Sequence, residues 1–121
     1  MTYETSTKVE SRLAPGVVYR LARMSFGRRI ELSRRLLELA QRVQFLEAGE
    51  TTKEQMQARV LGQEIDRIYL QWGLQAIDGL ELDGEPASVE TFLTTGPEGL
   101  CREALAAVKA ECGLSESERK N

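Results

Sequence analysis

The sequence predicts a mainly helical α+β domain: an antiparallel pair of long helices, further helices towards the C-terminus, an N-terminal β-hairpin and one more short strand. Three observations carry that expectation. Leu32, Leu36, Leu39, Val43 and Leu46 recur at 4-3-4-3 spacing, the period of a buried helical stripe. A second stripe of helical period follows after a short polar loop, which makes the two helices antiparallel neighbours. At Asp78-Gly79 the period changes to alternation in Leu80-Glu-Leu-Asp-Gly84, the mark of a strand and turn.

In chain order, residues 1–8 are polar and unpatterned and read as a loose tail. Two apolar runs, 9–13 and 17–24, flank Ala14-Pro15-Gly16 and read as a hairpin, with Val17, Tyr19 and Leu21 on one face. Ser25 is placed to cap a first helix over 26–48, and Gly49 to end it. Ile30, Leu37 and Ala40 widen its buried stripe. Glu31–Arg35 and Glu38–Arg42 pair on its exposed side at i,i+4. Thr51-Thr-Lys-Glu54 is a capping box for a second helix, 53–75, with Met56, Val60, Ile65, Ile68 and Trp72 along one stripe. Gly62 and Gly73 interrupt it, and each costs about 1 kcal/mol relative to alanine. Close approach of the first helix accounts for Gly62, and a bent end for Gly73. The strand at 80–84 would add to the N-terminal hairpin and stop at Pro86. Ser88 then caps a short helix, 89–95. Pro97 opens a last helix running to Cys112, with Gly113 as its terminator. Ser115-Glu-Ser-Glu118 opens a final turn, and 115–121 reads as a flexible tail.

The 121 residues suit one domain, 1–121, and 41% apolar with 29% charged residues is ordinary for a globular chain. No segment is apolar enough to span a membrane, and the N-terminus lacks a signal-peptide pattern, so a cytoplasmic protein is expected. Two cysteines, Cys101 and Cys112, stand too far apart on one helix to bond and read as small buried side chains. The net charge of −3 hides a polarity: residues 1–42 carry nine basic and four acidic side chains, and residues 43–121 seven and fifteen.

Catalytic constellations are missing. There is no histidine, which removes the commonest general acid–base and metal ligand. Glu81, Asp83, Gly84 and Glu90 echo part of a calcium loop, but Gly79 stands at its first position and Pro86 in its second half, so a turn with exposed acids is the better reading. The chain is expected to be no enzyme and to use no cofactor or metal. Arg28, Arg35 and Arg42 share a stripe that would suit a phosphate backbone. Glu31 and Glu38 interleave with them, and no aromatic stands among them for base stacking, so nucleic acid is the weaker partner. Tyr69 and Trp72, with the acidic turn of Glu81, Asp83 and Glu85, form the better candidate for a protein-binding surface.

The runs Arg23-Met-Ser-Phe-Gly-Arg-Arg29, Phe45-Leu-Glu-Ala-Gly49, Glu64-Ile-Asp with Tyr69 and Trp72-Gly73, Gly79-Leu with Asp83-Gly84, Gly96-Pro-Glu, and Gly113-Leu-Ser with Glu118-Arg-Lys-Asn121 resemble small proteins of bacteriophage and prophage tail modules. In particular they resemble tail assembly chaperones of long-tailed phages. That resemblance, spread over 9–121, implies a small acidic helical protein of the bacterial host cytoplasm. It would coat the tape measure protein while the tail tube grows around it, and then leave. It also implies frameshifting near the gene's 3′ end, where Lys120-Asn121 can be encoded by a slippery sequence. A structural head–tail or tail-completion protein of the virion is the alternative, and a small nucleic-acid-binding regulator a second. The sequence leaves the oligomeric state open.

Overall fold

A computed structural model describes residues 1–113 of the chain. The capping box at 115–118, the tail 115–121 and Lys120-Asn121 lie outside the described residues. The elements run β1 (Ser6–Glu10), β2 (Val18–Ala22), α1 (Phe26–Glu47), α2 (Thr52–Gly73), β3 (Leu74–Asp78), β4 (Glu81–Leu82), β5 (Glu85–Pro86), α3 (Val89–Thr95) and α4 (Glu98–Glu111). The fold is α+β, with the expected pair of long antiparallel helices and N-terminal hairpin.

The sheet is antiparallel in the order β1-β2-β3. Its central strand follows from alternation: Tyr19 and Leu21 are buried, and Arg20 between them turns outwards to Asp78 on β3. The strands differ from expectation in two ways. β1 begins at Ser6, inside the segment read as a loose tail, because Ser6 to Glu10 pair in register with Ala22 to Val18. The third strand is 74–78 rather than 80–84. Leu74-Gln-Ala-Ile looks helical in isolation, but pairing with β2 and burial of Leu74 and Ile77 override that propensity. Residues 81–86 instead fold back on themselves as β4 and β5, with Pro86 inside the second strand rather than stopping the first. Their turn is Asp83-Gly84 with φ of +52° and +82°, the paired positive φ that a tight hairpin needs.

The helix caps follow the sequence. Ser25, Thr51 and Ser88 each accept an N–H from the third residue on, at 3.1–3.2 Å. α2 ends at Gly73 and passes straight into β3, with Leu74 already extended. A Cβ at Gly73 would lie 2.5 Å from Val108 Cγ1, so close packing of α4 explains this glycine. Gly62 differs from expectation: nothing lies within 4 Å of where its Cβ would be.

The core gathers Val17, Tyr19 and Leu21 of the β2 segment, Leu70 and Trp72 of α2, Leu74 and Ile77 of β3, Phe92 of α3, and Leu100, Ala104 and Val108 of α4. Two polar links tie it together. The Glu103 carboxylate on α4 accepts from the hydroxyls of Ser11 and Tyr19 and from the N–H groups of Arg12 and Leu13, latching the β1–β2 loop. Burial, and then the bond to Glu103, push the Tyr19 phenol up to about 12. The buried Lys109 ammonium meets Asp66 of α2 at 3.1 Å.

The long helices pair along Leu32, Leu36, Leu39, Val43 and Leu46 of α1 and Ala58, Leu61, Ile65, Ile68 and Trp72 of α2. Only Leu32 of α1 is buried, and in α2 Ala58 is buried alone before Leu70. The pair is therefore an arm, rooted in the core at one end and solvated at the other. No described helix is long and apolar enough to cross a membrane.

Candidate partner-binding surface

The tip of the arm carries the largest exposed apolar side chains of the long helices' distal half. Phe45 of α1 is 75% exposed, and Met56 and Val60 of α2 are 59% and 57% exposed. With Leu46 and Leu61 they form an open groove of about 800 Å³ between the two helices, and Arg42 and Lys53 stand at its rim. Met56 and Val60 thus leave the inner stripe on which the sequence placed them. The α2 residues facing α1 follow Ala58, Leu61 and Ile65, a line displaced round the helix from Met56 and Val60. Removing such a patch from water would gain about 25 cal/mol for each Å² of apolar area buried.

The rim is cationic. The expected Glu38–Arg42 pair does not form, although Glu31 and Arg35 meet at 3.1 Å one turn closer to the base. Neither Arg42 nor Lys53 makes an ion pair with another described residue. An apolar floor with free cations beside it suits an amphipathic helix whose flanks are acidic.

Trp72, the centre of the surface expected from the sequence, is 7% exposed. It is covered because Arg28 lies over it. The guanidinium carbon sits 4.2 Å from the ring centroid, and Nη2 donates to the Trp72 carbonyl at 2.7 Å. Tyr69 is half-buried against the core, with the Lys109 ammonium 5.3 Å from its ring centroid. Trp72 is thus covered where α2 enters the core, and Tyr69 is partly so. Glu81, Asp83 and Glu85 are exposed at the β4–β5 hairpin, apart from the groove.

The three arginines of the phosphate stripe are not equivalent either. Arg28 is engaged by Trp72 and Arg35 by Glu31, whereas Arg42 pairs with no other described residue. Among the described residues no group of three or more Cys, Asp or Glu side chains could hold a metal ion. Cys112 is buried and Cys101 half-buried, both as free thiols, and burial pushes both thiols up.

The groove escaped the sequence reading because Met56 and Val60 fit a helical stripe whichever neighbour that stripe meets. Phe45, outside the 4-3-4-3 series of α1, was the available signal. No protein-family profile matches the chain, and no curated protein or solved structure is detectably similar to it.

Proposed function

We propose that the protein is a non-enzymatic tail assembly chaperone of a long-tailed phage or prophage, which holds amphipathic helices of the tape measure protein in the groove at the tip of its α1–α2 arm. The observation that carries this reading is the groove itself, an apolar floor of Phe45, Met56 and Val60 flanked by the free cations of Arg42 and Lys53. A long helical protein that must not aggregate before the tail tube encloses it presents repeated apolar stripes. A small chaperone masks such a stripe by lending it a complementary face and releasing it later. A solvated arm with few buried contacts suits reversible capture.

The test is co-expression with a tape measure protein, which this reading expects among the reading frames beside the gene. The wild-type chain is expected to keep that protein soluble and to co-purify with it. Phe45→Glu combined with Val60→Glu should weaken capture by ~10-fold or more while leaving the thermal midpoint of the chaperone near its original value, because both side chains are already exposed. Unchanged capture by the double variant, or recovery of the chain as a component of purified virions, would refute the reading.

A further inference from the structure

β1 is an edge strand: among the described strands it pairs on one side only, with β2. Its hydrogen bonds show which backbone groups face the open side. The Thr5 carbonyl accepts from the Arg23 N–H, and the Ser11 N–H donates to the Val17 carbonyl, so the odd-numbered residues face β2. Ser6, Lys8 and Glu10 therefore turn their N–H and C=O groups away from β2. Such a row is a template for a further strand. Outwards from Ser6 the sequence is complementary to itself: Thr5 answers Thr7, Glu4 answers Lys8, and Tyr3 answers Val9.

We infer that β1 pairs antiparallel with β1 of a second copy of the chain, about a two-fold axis that passes through the sheet at Ser6 and joins the two sheets edge to edge. The backbone is the first reason. The axis sets Ser6 opposite Ser6 of the second copy, Glu4 opposite Lys8 and Lys8 opposite Glu4. All of these share the parity that faces the open edge, so each pair exchanges both of its N–H···O bonds. Thr5 then meets Thr7, and Tyr3 meets Val9, at the intervening positions where side chains approach most closely. Tyr3, 59% exposed in the single chain, comes to lie against Val9, which packs on the core.

Charge is the second reason. Lys8 stands directly across from Arg20 of β2, an unfavourable like-charge pair, and Arg20 is itself bridged to Asp78. Neither Glu4 nor Lys8 makes an ion pair with another described residue. The second copy gives Lys8 an acid, Glu4, as its other cross-strand neighbour, and the two-fold makes that pair twice. A lysine on an open edge by itself deters pairing, and Glu4 removes that obstacle. Other registers of the same parity lose the match. An axis at Thr7 sets Glu4 on Glu10, and one at Lys8 sets lysine on lysine. An axis at Val9 runs into Arg12, whose N–H is held by Glu103, and one at Thr5 sets Lys8 on Thr2. One strand pair lies at the small end of specific association, so the dimer is concentration-dependent. It leaves the groove at the tip of the arm untouched.

Sedimentation equilibrium of the full, untagged chain, from about 1 µM to about 500 µM, tests this over the range where weak specific pairs form. The expected result is a shift from one-protomer to two-protomer mass. Ser6→Pro should abolish the shift, because it removes the N–H at the axis. The fold should tolerate it, since β2 does not use that N–H and proline is accepted at the first position of an edge strand. Glu4→Lys and Lys8→Glu should each raise the dissociation constant several-fold, and the double reversal should restore it. Leu37→Glu and Phe45→Glu alter side chains that are 60% and 75% exposed on the arm, and both should leave the dimer intact. Circular dichroism checks that each variant is folded. One-protomer mass throughout the range overturns the inference. So does a dimer that survives Ser6→Pro, a dimer lost on Leu37→Glu or Phe45→Glu, or a double reversal that fails to restore pairing.

Discussion

Glu103 does more for the fold than its place on an outward turn of α4 suggests. One carboxylate accepts four hydrogen bonds, two from side-chain hydroxyls and two from backbone N–H groups, all from the N-terminal hairpin. Burial raises its pKa, but the bonds from Ser11, Tyr19, Arg12 and Leu13 outweigh burial and hold the group below the ordinary carboxylate range. A depressed folded pKa stabilises the protein above the unfolded value of about 4.3, and that stabilisation is lost as pH falls through the folded value. Glu103→Gln should therefore flatten the acid limb of stability against pH, measured by urea unfolding at a series of pH values. Glu103→Ala should cost ~2–3 kcal/mol at neutral pH, because it leaves the Tyr19 hydroxyl buried with one weaker acceptor, the Leu100 carbonyl at 3.3 Å. An acid limb unchanged in Glu103→Gln would show that the latch contributes nothing. No sequence rule pointed to this group. Its partners stand 84 to 92 residues away, and a glutamate on an amphipathic helix reads as solvated.

Elements show where local sequence suffices and where it does not. The hairpin of long helices was legible because its period is local and its caps are chemical: Ser25 and Thr51 each satisfy an N–H of the first turn. The third strand was not legible, because 74–78 takes its conformation from β2 and not from its own residues. The glycines of α2 expose the same division. The sequence assigns a close neighbour to Gly62 and a bent helix end to Gly73, yet the close neighbour is at Gly73 and Gly62 has open space. Gly73→Ala must push its Cβ into Val108, a stiff branched side chain that is 1% exposed, and should destabilise by ~1–3 kcal/mol. Gly62→Ala meets nothing and should stabilise by about 1 kcal/mol, the helix-propensity difference. Thermal unfolding of the two variants should give shifts of opposite sign. Shifts of the same sign would mean that the contact at Val108 is not what fixes Gly73.

At the scale of the molecule, stability and recognition are separated along the arm. Its root shares the core with the sheet, α3 and α4. Its tip has a line of apolar contacts between two helices and little else, with Ala58 the sole buried residue of the distal half of α2. Exposed apolar side chains lie on two faces of this arm, in the tip groove and on the outer side of α1. The sequence showed the apolar positions of both but not their division, because a helical period says which residues share a face and not which faces meet. Hydrogen exchange on the partner-free chain at low concentration should follow that separation. Amides over about 42–61 should exchange by local opening, with protection roughly a hundredfold or more below that of β2 and α4. Uniform protection along α1 and α2 would contradict the account of the arm. Adding the tape measure protein should slow exchange over about 42–61 through the groove. Exchange over about 42–61 that is unchanged by that protein would refute the groove as its seat.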